Sequence, residues 1–237
     1  MERRFAIAAL AAAVAVAAVP GGLAAQGRGA DTRPGIAVLP FENGGSYGQD
    51  KENFDALQKG LAAMMISELA ANPAARVVER EEIQKLLEEQ NLGASGRVDP
   101  QTAARIGKLV GARYVVVGTF IDFYGDFRVD ARLVNVETSE IVKVEKDQAQ
   151  RDHLFQIIQN VASRLMRDAN LPPLPKPAAE QRQGRQIPTE ALTYYSKALL
   201  YQDRGQKDKA VEMYQKALAV FPDYAEARRG LERVKTS

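Results

Sequence analysis

No cysteine occurs in the 237 residues, and that absence decides much of what the chain can become. No disulfide framework can hold it, so its folded part stands on a hydrophobic core alone. No thiolate can act as nucleophile or zinc ligand, and no cysteine is present to carry an acyl anchor. His153 is the single histidine, so a multi-histidine metal site is excluded as well. The composition otherwise suits a globular protein, at 46% hydrophobic and 26% charged residues.

The amino terminus implies export. Arg3 and Arg4 precede an uncharged run from Phe5 to Val19, Pro20 and Gly21 close it, and Leu23-Ala24-Ala25 supplies small residues before Gln26. This is the layout of a secretory signal peptide over residues 1–25. The run falls short of the roughly 20 residues that a membrane-spanning helix needs. A membrane anchor is therefore the lesser reading, and the mature chain is expected to lack a transmembrane segment. Removing Glu2, Arg3 and Arg4 with the leader leaves 30 basic and 29 acidic residues. Such a balance argues against nucleic acid as a partner, which requires clustered positive charge.

After a polar tether, Gly27–Arg33, the hydrophobic period changes along the chain. Gly35–Phe41 is an apolar run of strand length, and Glu42–Gln49, with three glycines, reads as a loop. Phe54, Leu57, Leu61, Met64, Met65 and Leu69 recur at helical spacing, and Asn72-Pro73 ends that helix. Arg76–Val78 is a short strand. A second helix spans 79–90 with Ile83, Leu86 and Leu87 inward, and Asn91–Val98 is a loop. Asp99-Pro100 starts a third helix that ends at Gly111. Arg113–Phe123 is a near-continuous apolar strand. Tyr124-Gly125-Asp126 turns it back into Phe127–Leu133, which alternates apolar and polar residues. Ile141–Val144 returns as a further strand, and a last helix spans 152–169. The order predicts an α/β (α+β) sandwich domain over residues 34–170, a mixed sheet with helices on its faces.

This block resembles the domain shared by the curli secretion channel (CsgG-type) family and the amino-terminal domain of the TolB-type translocation proteins. The likeness covers roughly residues 34–168. It is carried by Ile36-Ala-Val-Leu-Pro-Phe41 and by Val77-Val-Glu-Arg80 leading into Ile83–Leu92. Ala103–Ala112, Tyr114-Val-Val-Val-Gly118 and Arg132–Thr138 complete it. The resemblance implies an exported, periplasmic domain that works in cell-envelope assemblies and often packs side by side in rings, so a homo-oligomer is a possibility it carries. This chain departs from the channel in two respects. It has no lipidated cysteine, and its Tyr124-Gly125-Asp126 turn cannot supply a pair of membrane strands of about 10 residues each. A pore is therefore not expected.

Leu171–Pro177 is proline-rich, and with Ala178–Gln186 it reads as a spacer over 171–187, stiff first and then polar and mobile. Residues 188–235 form an all-α segment. Tyr194, Ala198 and Tyr201 lie on its first helix and Ala210, Tyr214 and Ala217 on its second, with Pro222 as the stop. Small residues let two antiparallel helices approach, and aromatics fill the space beside them. Counted from Ala191 as a 34-residue unit, the segment resembles the tetratricopeptide repeat (TPR), with Lys197 standing where that repeat usually has leucine. Asp223–Val234 reads as a capping helix. One repeat and a cap cannot bury their own faces, so the unit must dock on its own chain or on another. Leu192, Tyr195 and Leu199 fall on the face that lines the concave groove in such repeats. They are candidates for partner contact, with packing inside the molecule as the equal alternative.

No catalytic, cofactor or metal constellation is legible. Glu79, Glu81 and Glu82 sit at a helix start, where acids serve the dipole. Glu42-Asn-Gly-Gly-Ser46 follows a strand but lacks phosphate-loop spacing. Ser46, Ser67 and Ser163 have only His153 as a possible base. The sequence reads as a non-enzymatic, exported envelope adaptor with protein partners. The alternative is a regulator of a cell-wall synthase, since lipoprotein activators of such synthases contain a similar domain. A small-molecule-binding protein or hydrolase using Gly44-Gly45 is the lesser reading.

Overall fold

The structure, a computed structural model, describes residues 31–89 and 98–236. The expected signal peptide and all but the last residue of the 91–98 loop lie outside the described residues. The chain runs β1 (Gly35–Val38), β2 (Glu42–Asn43), α1 (Lys51–Ala70), β3 (Arg76–Val77), α2 (Arg80–Glu89), α3 (Pro100–Leu109) and β4 (Tyr114–Phe123). It continues as β5 (Asp126–Asn135), β6 (Ile141–Gln150), a short 3-10 turn, α4 (Leu154–Asp168), α5 (Lys176–Gly184), α6 (Thr189–Asp203), α7 (Lys207–Val220) and α8 (Ala225–Thr236).

The strands form one mixed sheet in the order β3-β1-β4-β5-β6, with β2 also on β4. β1 runs parallel to β3 and β4, while β4, β5 and β6 are an antiparallel meander. Alternation along the strands divides the core. Ile36, Val38, Val116, Phe120, Phe127, Val129 and Leu133 face α1 and α4. Ala37, Leu39, Val115, Val117, Val134 and Val136 face α2 and α3. β1 is buried along its whole length, as a strand covered on both sides must be.

Local chemistry sets the boundaries. Asp50 caps α1 through Asn53 N, and Asp99 caps α3 through Gln101 N and Thr102 N ahead of Pro100. The turn after α3 passes through Gly111 at φ 61°. The β4–β5 hairpin closes through Tyr124 (φ 52°) and Gly125 (φ 101°), the paired left-handed conformations of a two-residue hairpin turn.

Three expectations need correction. Part of Glu42–Gln49 is strand, because Glu42 and Asn43 pair with Thr119 and Phe120 and Tyr47 bridges Phe123. β6 is ten residues long and continues through Gln150, since its ladder with β5 runs the whole way. The segment 171–187 is not an extended and then mobile spacer. It contains α5, pinned by Arg182 to Glu68 (2.5 Å), Ser163 Oγ (2.6 Å) and the Gln159 carbonyl (2.6 Å).

Arg33–Ser237 forms one compact unit. The carboxy-terminal helices pack against α1, and a single apolar cluster runs from the sheet through α1 and α4 into α6, α7 and α8. Among the described residues, no helix is long and apolar enough to cross a membrane.

Candidate protein-interaction site

The repeat has the internal packing its pattern predicted. Ala198, Ala210 and Ala217 are fully buried between α6 and α7. Tyr214 is buried and donates to Gln202 Oε1 at 2.7 Å, and the ring of Tyr224 in the capping segment lies tilted against Tyr195 at 4.9 Å. Tyr194 and Tyr201 are half-buried, each beneath a lysine, Lys216 and Lys209 respectively. Pro222 follows the end of α7.

The groove is already filled. Leu192, Tyr195 and Leu199 are 0%, 5% and 0% exposed. Ser196 shares their face and abuts Gly60 of α1, and Tyr195 joins Ala63, Met64 and Ser67 of α1 around a narrow pocket. Their role as contacts for an external partner is therefore corrected. They pack inside the molecule, because an isolated repeat must bury this face and α1 supplies a stripe of small residues to receive it. Burial first, then Tyr214 and Glu226, pushes the Tyr195 hydroxyl well above its ordinary value of 10.0.

A seam of ions encircles this contact. Asp203 of α6 takes Arg80 at 2.9 Å and Lys59 at 3.1 Å. The buried Glu68 of α1 faces Arg182 and Arg185. Arg185 also holds Glu226 of α8 at 2.5 Å, and Ser67 donates to the same carboxylate. Arg233 reaches Glu81 at 3.0 Å.

The Gly44-Gly45 loop spends its amides on its own chain. Asn43 Oδ1 accepts from Gly45 N and Ser46 N, while Gly44 N and Tyr47 N donate to the Phe120 and Asp122 carbonyls. His153 is exposed and lies 3.7 Å from Asp152. Ser46, Ser67 and Ser163 are engaged by Asp122 N, Glu226 and the Gln159 carbonyl. No group of acids or imidazole able to hold a metal occurs among the described residues.

The feature the sequence did not single out lies at the far end of the meander. Tyr47, Phe123 and Tyr124 are 58%, 59% and 73% exposed. They form one aromatic row, with Tyr47 and Phe123 edge-on at 6.1 Å and Phe123 and Tyr124 at 5.2 Å. The platform is held from below. Tyr124 N donates to the Tyr47 carbonyl. The buried Asp122 carboxylate accepts from Gly125 N, Gln49 Nε2 and Arg151 Nη2 at 2.8–2.9 Å. The only sequence signal was Tyr124-Gly125 at a hairpin turn, where Asn-Gly is the favoured pair.

These features define a three-layer α/β domain with a helical repeat docked on its own first helix. Residues 20–128 match the family of the curli production assembly/transport component CsgG, and residues 191–224 match the tetratricopeptide repeat. The two matches fall where the sequence resembles a CsgG-type domain followed by a TPR. The first match ends inside β5, short of β6 and α4. A comparison with curated proteins returned no match. Among solved structures, the chain is similar to the LpoB C-terminal domain from Salmonella enterica, at 20% identity, TM-score 0.36, 52% of this chain and 87% of that one. It is also similar to TolB from Acinetobacter baumannii (17%, TM-score 0.34, 68% and 31%) and to the PelC dodecamer from Paraburkholderia phytofirmans (12%, TM-score 0.34, 60% and 91%).

Proposed function

We propose that the protein is an exported, non-enzymatic adaptor of the cell envelope that meets a protein partner through the Tyr47–Phe123–Tyr124 platform and uses its repeat as an internal brace. The match to an assembly and transport family and the presence of a TPR support a role in protein association. Tyr124 carries the choice of surface. A bulky residue there occupies a left-handed backbone position, where glycine or asparagine would relieve the strain. Its ring is nonetheless 73% exposed and meets only the rim of the fold, at Phe123 and beside Gly48. Strain retained at so exposed a side chain supports a functional reading, and rigid aromatic rings are efficient anchors because little entropy is lost when they bind.

The test is fractionation of the envelope of an exporting host. The wild-type chain is expected in a high-mass complex, and a variant carrying Tyr47→Ser, Phe123→Ser and Tyr124→Ser is expected folded, exported and free. A wild-type chain that runs free, or a triple variant that stays in the complex, contradicts the proposal.

A further inference from the structure

β6 ends the sheet. It pairs with β5 alone, so its outer backbone groups form a ten-residue edge, the kind of edge that recruits another strand unless it is guarded. The guard here is incomplete. At the middle of the strand, Arg164 of α4 reaches round the edge, holding Glu145 at 2.8 Å and donating to the Lys146 carbonyl at 2.8 Å. Over the amino-terminal half, Ile141, Val142 and Val144 are 42%, 43% and 52% exposed. Val144 lies opposite Arg132 on the sheet face away from α4, whereas Lys143 lies opposite Leu133 on the α4 side.

We propose that this edge takes a second copy of the same chain, strand against strand and antiparallel, about a two-fold axis through Val144. Charge fixes that register. A two-fold antiparallel pairing sets the central residue opposite itself. Centring on Lys143, Glu145, Lys146 or Asp147 opposes like charges, which destabilises a strand pair. Centring on Val144 opposes valine to valine. It also sets Lys143 of each copy against Glu145 of the other, on one face of the joined sheet. A shift in the β5–β6 register at Leu133/Val134 and the Arg164 contact at Lys146 bound the pairing window on its two sides. A window so short buries less than the roughly 1,200 Å² of a stable interface, so the dimer is weak and concentration-dependent. The inference stands on the sheet edge and does not depend on the adaptor reading.

The cysteine-free sequence makes the test clean. In Val144→Cys, the two introduced thiols would sit on Cα atoms about 4.5–5.5 Å apart across the axis, within disulfide reach. In Lys146→Cys they would be about 13 Å apart, four residues along the strand. Under diamide, which takes up the two electrons and two protons the thiols give up, the full chain carrying Val144→Cys is expected to form at least ten times more disulfide dimer than Lys146→Cys. Adding Lys143→Glu should remove most of that difference. Sedimentation of the unsubstituted chain should show a monomer–dimer equilibrium that Lys143→Glu shifts to monomer. Equal cross-linking of the two cysteine variants, a monomer at every concentration, or a closed ring of higher mass overturns the proposal.

Discussion

Gly60 of α1 and Ser196 of α6 stand closer than two side chains could. A Cβ at position 60 would lie 1.8 Å from Ser196 Oγ and 2.7 Å from its Cβ, and the Ser196 hydroxyl is turned back onto the Leu192 carbonyl at 2.8 Å. The contact joins the centre of the α/β domain's first helix to the groove of the repeat. Everything proposed about the groove follows from it.

Gly60→Ala is expected to destabilise the chain despite the better helix propensity of alanine, because overpacking at a closed helix contact costs about 1–3 kcal/mol. Ser196→Gly in the same chain should recover part of the loss. Urea unfolding followed by circular dichroism measures both. A neutral or stabilising Gly60→Ala would show that α1 and α6 can move apart freely.

Asp203 carries the seam. Its side chain is 9% exposed and that of Arg80 12%, so Asp203→Ala leaves a buried guanidinium without its main partner and is expected to cost about 3 kcal/mol. Glu52→Ala removes an exposed partner of Arg204 and should cost no more than about 0.5 kcal/mol. Similar losses at the two positions, read from denaturant midpoints, would mean that the seam is as wet as the surface.

Acid should weaken the chain in part through Glu226. Burial works to raise its pKa, but the Arg185 guanidinium and the Ser67 hydroxyl outweigh it and hold the carboxyl below its ordinary 4.5. The unfolded chain therefore takes up this proton at a higher pH than the folded one. The stabilisation is complete above the ordinary value and is lost as pH falls through the folded value. Glu226→Gln should have a lower urea midpoint at neutral pH and a shallower decline on acidification. Parallel curves for the two proteins would remove Glu226 from the account.

Tyr124→Asn separates fold from function. Relief of the left-handed strain is expected to raise stability by about 0.5–1 kcal/mol, while the loss of an anchor ring weakens partner association. A thermal melt and the envelope fractionation read the two effects. A variant that loses stability would place the value of Tyr124 in the fold, and one that gains it and keeps its partner would remove Tyr124 from the partner surface.

Much of the fold was legible because period and capping agreed. The alternation of Phe127–Leu133, the unbroken apolar run of β4 and the Asp99-Pro100 start each named its element. The length of β6 was hidden, because Glu145, Lys146 and Asp147 look like a loop until β5 lies beside them. α5 was hidden because prolines and polar residues read as a tether, and only Arg182 on Glu68 shows what holds it. The repeat was legible down to its alanines, but the occupant of its groove was not. In α1 the eye follows Leu57, Leu61 and Leu69, whereas Gly60, Ala63 and Ser67 form the second face. Small residues carry no hydrophobic signal even where they decide which helices touch. The aromatic platform combines residues from two distant segments, Tyr47 and Phe123-Tyr124, so no local pattern announces it.

Amide hydrogen exchange tests most directly whether the repeat and the α/β domain are one body. The account predicts that amides of α6 across Leu192–Leu200 and those of β4 and α1 open with the same free energy, matching global unfolding. Release of α6 and α8 at lower free energy, while the sheet stays protected, would contradict it and return the groove to an outside partner.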